Sequence, residues 1–390
     1  MSRCFIVPPH LLKAISESSA NSDVIRQSAL AALSSRQNVV VKRKNCLHRA
    51  HPRSTAGPFI PAHVLRHISE SEHADEASRA AALRTLERDS LTTRAHRMVY
   101  DARHVSSEAE LPGKLVRAEG DKETKDNTAN EAYDNVGTVL EFFKDVFGWK
   151  SIDDKYADII SSVHFGEQYE NAFWDSQERQ MVFGDGGEFL SNFTGCVDVI
   201  GHELTHAVTE HTTALNYEGQ PGALNEHVSD VFGIMIKQKA QNEKAKDTDW
   251  LIGEDCILPG VKGVALRSMK APGTAYDDPR FGKDPQVDNM RDFQQTYEDN
   301  GGVHIYSGIP NKAFYLVAQA FGGYSWEKAG KIWWKALQTK VHADCTFLQF
   351  ADATVEIAEQ FDPEAAQAVR KAWDEVGVKA DDSGGWCVVL

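Results

Sequence analysis

The chain lacks any long apolar run: no stretch of about 18 residues could cross a bilayer as a helix. It also lacks a basic excess, because 42 Lys and Arg stand against 57 Asp and Glu, for a formal net charge of −15. This acidic balance argues against nucleic acid as a partner. With 390 residues the chain is long enough for two or three domains, and we expect it to be a monomer.

Both ends of the chain bear on location. The first residues, Met-Ser-Arg-Cys-Phe-Ile-Val-Pro-Pro, lack the apolar stretch of about 7–15 residues that a secretory signal needs. The six cysteines show no paired spacing, in keeping with a reducing compartment: 4, 46, 196, 256, 345 and 387. We therefore expect a cytoplasmic location or export without a leader. Cys387–Leu390 fits a prenylation pattern, but the acidic tail before it has no second signal, so chance is favoured.

His202-Glu203-Leu-Thr-His206 is the most informative stretch. Apolar residues around it recur at three- and four-residue spacing, which predicts a helix. Two histidines four residues apart then lie on one face, where they can bind a single Zn²⁺, with Glu203 beside the metal to activate water. The alternative is a surface helix that carries both histidines by chance.

A catalytic zinc needs a third protein ligand and one open position. The segment 223–236 has its own apolar stripe, with Glu226 and Asp230 four residues apart on another face. An acid at the edge of such a stripe is costly to bury unless it meets a metal or a partner. Glu226 is therefore predicted as the third ligand, while Asp230 orients a ligand histidine. The alternative is a pair of ordinary solvated acids.

These residues resemble the thermolysin family of zinc endopeptidases over about 95–379. Five blocks follow the family's order: Asn171–Trp174, His202–His206, Asn225–Asp230, Leu266–Met269 and Asp299–Tyr315. The resemblance implies an α+β, two-lobed metalloprotease. We expect a strand-rich N-terminal lobe at 95–216 that ends in the HExxH helix, a mainly helical lobe at 217–380 and a tail at 381–390. Periodic stretches predict helices near 311–321, 326–340, 346–360 and 363–376.

The resemblance also implies roles for individual residues. Glu203 takes a proton from the zinc-bound water and later delivers it to the leaving amine. His304 and Tyr217 donate hydrogen bonds to the oxyanion, and Asp299 holds His304 in its donating state. Asn225 joins Asp230 behind the zinc ligands. The alternative for His304 is a purely structural histidine.

Substrate contacts follow from the same resemblance. Asn171 and Ala172 are expected on an edge strand that pairs with the peptide, and Arg267 is expected to bond a substrate carbonyl. The pocket for the residue after the scissile bond is apolar, so cleavage is expected before bulky hydrophobic residues. Its lining is expected from Leu190, Phe193, Val199 and Leu266, each of which could equally be core.

A calcium site of the family is only partly present. Asp198, Asp249 and Glu254 match its ligands, but Lys237 stands where a bridging glutamate is expected and Leu251 replaces another acid. Because Ca²⁺ requires oxygen ligands, we predict that the double calcium site is absent and that any single calcium is weakly bound.

The first 94 residues contain a repeat. Residues 6–18 recur at 59–71 with an offset of 53, within two copies at about 6–35 and 59–88. Each copy predicts a short strand that ends at proline, then a helix, a turn and a second helix. One copy resembles the short propeptide of the protealysin-like branch, where one is usual, and 95–101 resembles the start of its mature enzyme.

Charge favours docking of this region. Residues 1–94 have a balance of +6 and the remainder −21, so the two parts attract each other. We predict a propeptide that inhibits and assists folding, with copy two, next to the mature enzyme, in the cleft. The alternative is an independent interaction module. Two other functions stay open for the chain: a catalytically silent zinc-binding protein, and another zinc hydrolase such as an exopeptidase, which lacks the Asn-Gly-Gly-Val-His block.

Overall fold

A six-stranded mixed sheet forms the centre of the N-terminal lobe in this computed structural model, which describes residues 4–46, 71, 78–79 and 94–379. The order across the sheet is β1-β5-β6-β4-β2-β3. The strands of this sheet are β1 (Cys4–Phe5), β2 (Arg97–Asp101), β3 (Lys114–Ala118), β4 (Ile159–Val163), β5 (Ala172–Asp175) and β6 (Gln180–Phe183). Strands β2, β4 and β6 run parallel, and the other pairings are antiparallel.

Two long amphipathic helices follow the sheet. Helix α3 (Asn127–Phe147) begins at Asp126, whose carboxylate accepts hydrogen bonds from the first turn, and ends at Gly148 in a left-handed conformation. Helix α4 (Val197–Thr212) contains the HExxH stretch. Short hairpins between the lobes are formed by β7 (Leu251–Ile252), β8 (Arg267–Ser268), β9 (Asp277–Asp278) and β10 (Gly282–Lys283).

The C-terminal lobe is helical, as the periodic stretches predict. Its helices are α5 (Gly219–Gln241), α6 (Asp299–Tyr306), α7 (Gly308–Phe321), α8 (Lys328–Thr339), α9 (Phe347–Glu359) and α10 (Pro363–Glu375). Trp333, Phe350 and Trp373 are buried against one another and tie these helices into one core. None of the helices in the described residues is long and apolar enough to cross a membrane. The two-lobed α+β prediction is therefore confirmed.

The prosegment forms β1 followed by α1 (Pro9–Glu17) and α2 (Asp23–Cys46). Pro9 occupies the first turn of α1, where its missing N–H costs nothing, and Leu11, Leu12 and Ile15 bury the apolar face. This is the strand–helix–helix pattern predicted for one copy. Copy two, at 59–71, lies outside the described residues except for Ser71, and so does the C-terminal Cys387.

Strand β1 pairs with the edge strand β5, through Cys4 with Trp174 and Phe5 with Phe173. It therefore lies in the cleft, and the prediction that copy two takes this position is wrong for this structure. Nearness in sequence to the mature enzyme was a poor guide, because α1 and α2 carry the chain back across the surface from the cleft.

Candidate active site

Helices α4 and α5 pack closely because two glycines face each other. A Cβ on Gly201 would lie 2.8 Å from Ile236 Cδ1 and 3.1 Å from Gly233 Cα. A Cβ on Gly233 would lie 2.6 Å from the carbonyl oxygen of Asp198. Since real side chains cannot come that close to backbone, only glycine permits this spacing. The pair brings Glu226 of α5 against the histidines of α4, and sequence reasoning missed it.

His202, His206 and Glu226 form a group able to hold a metal ion. Their ligand atoms all lie within 4.8 Å of one another, and all three side chains are buried. The Glu226 carboxylate is 3.4 Å from His202 Nε2 and 3.6 Å from His206 Nε2. Two imidazoles with one carboxylate, held on two rigid helices, are a donor set that suits a catalytic zinc. The three predicted ligands therefore come together.

Hydrogen bonds orient both ligand histidines. His202 Nδ1 donates to Asp230 Oδ1 at 2.8 Å, and His206 Nδ1 donates to Asn225 Oδ1 at 2.8 Å. Each ring therefore directs Nε2 at the metal position, which is the usual purpose of a second partner behind a metal ligand. Asp230 and Asn225 lie where they were predicted.

Burial has opposite outcomes for the two histidines. Burial lowers the pKa of His206 to about 3, since a charged imidazole is poorly solvated there. The same burial acts on His202, but hydrogen bonds to Asp230 and Glu226 outweigh it and raise its pKa to about 9. Metal binding requires neutral imidazoles, so the proton on His202 is one that a zinc ion would displace.

Glu203 lies beside this group. One carboxylate oxygen accepts a hydrogen bond from the Trp174 backbone N–H at 2.9 Å, and the other is buried with no hydrogen-bond partner among the described residues. Burial raises the pKa of Glu203 to about 8. A carboxyl group held at one oxygen and unengaged at the other suits a group that receives a proton and returns it. The backbone contact from Trp174 was not predicted.

His304 is presented by an unusual turn at the start of α6. Asn300, Gly301 and Gly302 all have positive φ, between 52° and 85°, which explains the two glycines. Asp299 accepts from both the backbone N–H and Nδ1 of His304, at 2.9 and 2.8 Å. His304 Nε2 is therefore directed into the cleft.

Tyr217 completes the predicted catalytic set. Its hydroxyl lies 3.4 Å from His304 Nε2 and donates a hydrogen bond to Glu226. Because His304 and Tyr217 converge on the same side of the metal group, both can donate to an oxygen that gains charge there.

Arg267 is the buried cation of the cleft, with 2% exposure. Its guanidinium holds Asp230 in a bidentate pair at 2.7 and 2.9 Å and donates to the Ile6 carbonyl of the prosegment at 3.0 Å. Burial opposes its charge, but Asp230 outweighs that cost and raises the pKa of Arg267. Arg267 thus supports the histidine network and also binds a peptide carbonyl.

The predicted edge strand holds the same prosegment. The Val7 N–H donates to Asn171 Oδ1 at 3.0 Å, and the Ile6 N–H donates to the Ala172 carbonyl at 3.3 Å. The four predicted pocket residues are all buried within the hydrophobic core: Leu190, Phe193, Val199 and Leu266.

A network behind the site escaped prediction. Asn311 donates to Asp230 Oδ2 at 2.9 Å and accepts from His227 Nδ1 at 2.8 Å, and Trp333 donates to His227 at 2.9 Å. These contacts join three helices of the C-terminal lobe to the histidine support. Only their shared place in the conserved-looking polar blocks could have indicated them, since helical periodicity assigns them to the core.

Lys237 lies in the region predicted for calcium. Its ammonium is 3.1 Å from Glu254 and 3.5 Å from Asp249, and it also donates to the Leu251 carbonyl at 3.4 Å. Asp198 is buried and accepts from the Gly253 N–H at 2.8 Å. Burial disfavours the charge of Lys237, but Asp198 and its other acidic neighbours outweigh this and raise its pKa.

Two family models match the chain. Residues 77–210 match the thermolysin metallopeptidase catalytic domain, and 213–378 match the thermolysin metallopeptidase alpha-helical domain. A solved structure, the precursor of protealysin from Serratia proteamaculans, superposes with a TM-score of 0.71 at 48% identity and covers 82% of this chain and 99% of its own. Both lobes and the prosegment thus have a counterpart.

Two relatives bear on function and location. Protease PrtS of Photorhabdus sp. (strain Az29) is 44% identical over 345 residues, 83% of this chain and 92% of its own. Extracellular metalloprotease of Pectobacterium carotovorum subsp. carotovorum is 46% identical over 288 residues, 73% and 82% of the two chains. A relative this similar that is named extracellular contradicts the cytoplasmic expectation, which is wrong. The chain belongs to the thermolysin family of metallopeptidases, in its protealysin-like branch, and is a zinc metalloendopeptidase made with a propeptide.

Proposed function

We propose that the mature enzyme hydrolyses peptide bonds before bulky hydrophobic residues, and that copy one of the prosegment holds it inactive until it is removed. The observation that carries this proposal is the arrangement of the cleft. A buried metal-ligand group, the acid Glu203 and the donors His304 and Tyr217 surround a peptide segment that Asn171 and Arg267 bind by its backbone.

Zinc, when bound to His202, His206 and Glu226, supplies Lewis-acid polarisation and lowers the pKa of a water molecule. Glu203 takes the proton from that water through its unpaired oxygen and returns it to the leaving nitrogen. His304 and Tyr217 donate to the carbonyl oxygen as it gains negative charge, and Asp299 keeps the His304 ring in the donating tautomer.

Arg267 and Asn171 position the peptide, because both contact backbone groups that every peptide has. Selectivity then falls to side-chain pockets. An apolar pocket of Leu190, Phe193, Val199 and Leu266 favours a bulky hydrophobic residue after the scissile bond, since such a side chain gains about 1.5–3 kcal/mol on burial.

Copy one closes the cleft as an intramolecular occupant. It adds a strand to β5, and its helices reach the other side of the cleft, where Asn21 donates to the Arg280 carbonyl at 2.9 Å and Lys13 lies 3.6 Å from Glu298. We further propose that the chain matures itself near Ala95 and that it acts outside the cell, as its relative's name indicates for that protein.

We also propose that Lys237 replaces calcium as the cation of the acidic group at Asp198, Asp249 and Glu254. An ammonium among these carboxylates supplies the positive charge that two calcium ions would supply, and it removes the space and the need for them.

A peptide library tests the proposed function. The zinc-loaded chain is incubated with the library beside Glu203→Ala, and products are identified by mass spectrometry. Wild type should cut before Leu, Ile, Phe and similar residues and should lose its own prosegment, while Glu203→Ala should do neither. Equal products from the two proteins would refute the assigned role of Glu203, and cuts without preference would refute the pocket.

A further inference from the structure

The prosegment lies in the cleft in one defined register. His304 Nε2, assigned to the carbonyl under attack, lies 3.2 Å from the Phe5 carbonyl oxygen. Arg267, assigned to a carbonyl beside the pocket, bonds the next one, that of Ile6, at 3.0 Å. The groups that would address a substrate on both sides of its scissile bond therefore address the two sides of the Phe5–Ile6 bond.

Backbone contacts downstream fix the same register. The Ile6 N–H pairs with the Ala172 carbonyl at 3.3 Å. Val7 is held at both polar backbone atoms by Asn171, with its N–H at 3.0 Å and its carbonyl at 3.5 Å. A slip by one residue would turn each side chain to the opposite face and break every one of these contacts.

The side chains suit the two sides of that bond. The Phe5 ring packs against Phe173 with centroids 5.1 Å apart. Ile6 is fully buried and apolar, which is the kind of residue proposed to follow the scissile bond. Phe5–Ile6 is thus a sequence that this active site should accept.

We propose that the chain hydrolyses its own Phe5–Ile6 bond, as a step separate from maturation near Ala95; this rests on the proposed peptidase function. One water molecule is consumed: its oxygen adds to the Phe5 carbonyl carbon, the carbon–nitrogen bond breaks, Phe5 becomes a carboxylate and the Ile6 nitrogen leaves as an amine. Residues 1–5 are released, or 2–5 if the initiator methionine is absent.

The cut does not open the cleft, because the anchors lie on the Ile6 side. Arg267 still holds the Ile6 carbonyl, and Asn171 still holds Val7. Further along, His10 contacts the Tyr276 hydroxyl at 3.2 Å, and Asn21 bonds the Arg280 carbonyl. Only the contacts of residues 4 and 5 are lost. The new N-terminus at Ile6 stays docked as a bound product, so the trimmed chain remains latent.

The test follows intact mass and N-terminal sequence of the full zinc-loaded chain over time, beside Glu203→Ala, while a fluorogenic peptide reports activity. Wild type should gain an N-terminus at Ile6 before peptide-hydrolysing activity appears, at a rate independent of protein concentration, and Glu203→Ala should keep its original N-terminus. A fragment that also forms in Glu203→Ala, or a rate proportional to concentration, would overturn cleavage within one chain.

Two matched variants test the register and the pocket. Ile6→Leu keeps an apolar side chain and should be cut at the same bond within about threefold of the wild-type rate, whereas Ile6→Asp places a charge in an apolar pocket and should be cut at least about tenfold more slowly. Equal rates for both variants would overturn the assigned register.

Failure of this inference is distinguishable from failure of the proposed function. An N-terminus that stays intact in a sample that hydrolyses the fluorogenic peptide overturns the inference alone. A sample that neither trims itself nor hydrolyses peptide overturns the proposed function, and the inference falls with it.

Discussion

Replacing Lys237 by methionine tests whether an ammonium does the work of calcium. The Lys237 side chain is 3% exposed, and its partners Asp249 and Glu254 are 37% and 43% exposed. Removing one partner of a buried ion pair costs about 3–5 kcal/mol, but solvent reaches these two carboxylates and reduces the loss. Asp198, which is buried, is left without a nearby cation. We expect a loss of about 2–3 kcal/mol, or about 4–6 °C in Tm.

The assay is thermal unfolding by scanning calorimetry at pH 7, with all proteins in a Glu203→Ala background so that self-digestion does not distort the curves. Lys244→Met serves as the control, because Lys244 is exposed near the end of the same helix. It should change Tm by less than about 1 °C. Each protein is measured in chelator and in millimolar calcium.

Wild type should show the same Tm in chelator and in calcium, since a ligand that does not bind the folded state cannot stabilise it. An unchanged Tm for Lys237→Met would refute the structural role of this lysine. A rise of several degrees for wild type in calcium would refute the replacement of calcium by Lys237.

The remaining predictions concern catalysis and pH. His304→Ala should lower kcat about 10²- to 10³-fold with zinc content unchanged, because it removes one oxyanion donor; a lost metal or an unchanged kcat would contradict that role. The His164 ring bonds Asp185 at 2.7 Å and Asp126 at 2.9 Å. Its hydrogen bond to Asp185 is the main cause that raises its pKa to about 9. The folded state thus holds this proton more tightly, so the stabilisation is complete below about pH 6.5 and is lost as pH rises through about 9. His164→Gln should cost about 1–2 kcal/mol at pH 6 and much less at pH 9.5; an equal loss in urea unfolding at both values would contradict it.

The sequence was most informative where chemistry is local. The spacing of His202 and His206 specifies a helix face, and the acid placement in the next periodic stretch indicates Glu226, since both follow from helix geometry alone. Lys237 could also be predicted in place, because a change of charge sign at a ligand position is visible without a structure.

Tertiary contacts limited the rest. Copies one and two have nearly the same pattern, and the cleft binds backbone atoms, so side chains could not decide which copy docks. Gly201 and Gly233 matter only through the distance between two helices, and Asn311 only through a network that spans three. The cytoplasmic expectation failed because a missing apolar leader and unpaired cysteine spacing are weak evidence of location: Cys196 and Cys256 are 60 residues apart, yet their sulfurs lie 2.6 Å apart.

The most direct test of copy one as the inhibitor compares the same substitution in both copies. Val7→Pro removes the N–H that bonds Asn171, and Ile60→Pro makes the equivalent change in copy two. Losing one buried hydrogen bond weakens docking by about 1–3 kcal/mol, or about 5- to 150-fold. The initial rate on a fluorogenic peptide should therefore be at least about fivefold higher for Val7→Pro than for wild type, with Ile60→Pro unchanged. A fast Ile60→Pro beside a latent Val7→Pro would contradict the assignment of copy one to the cleft.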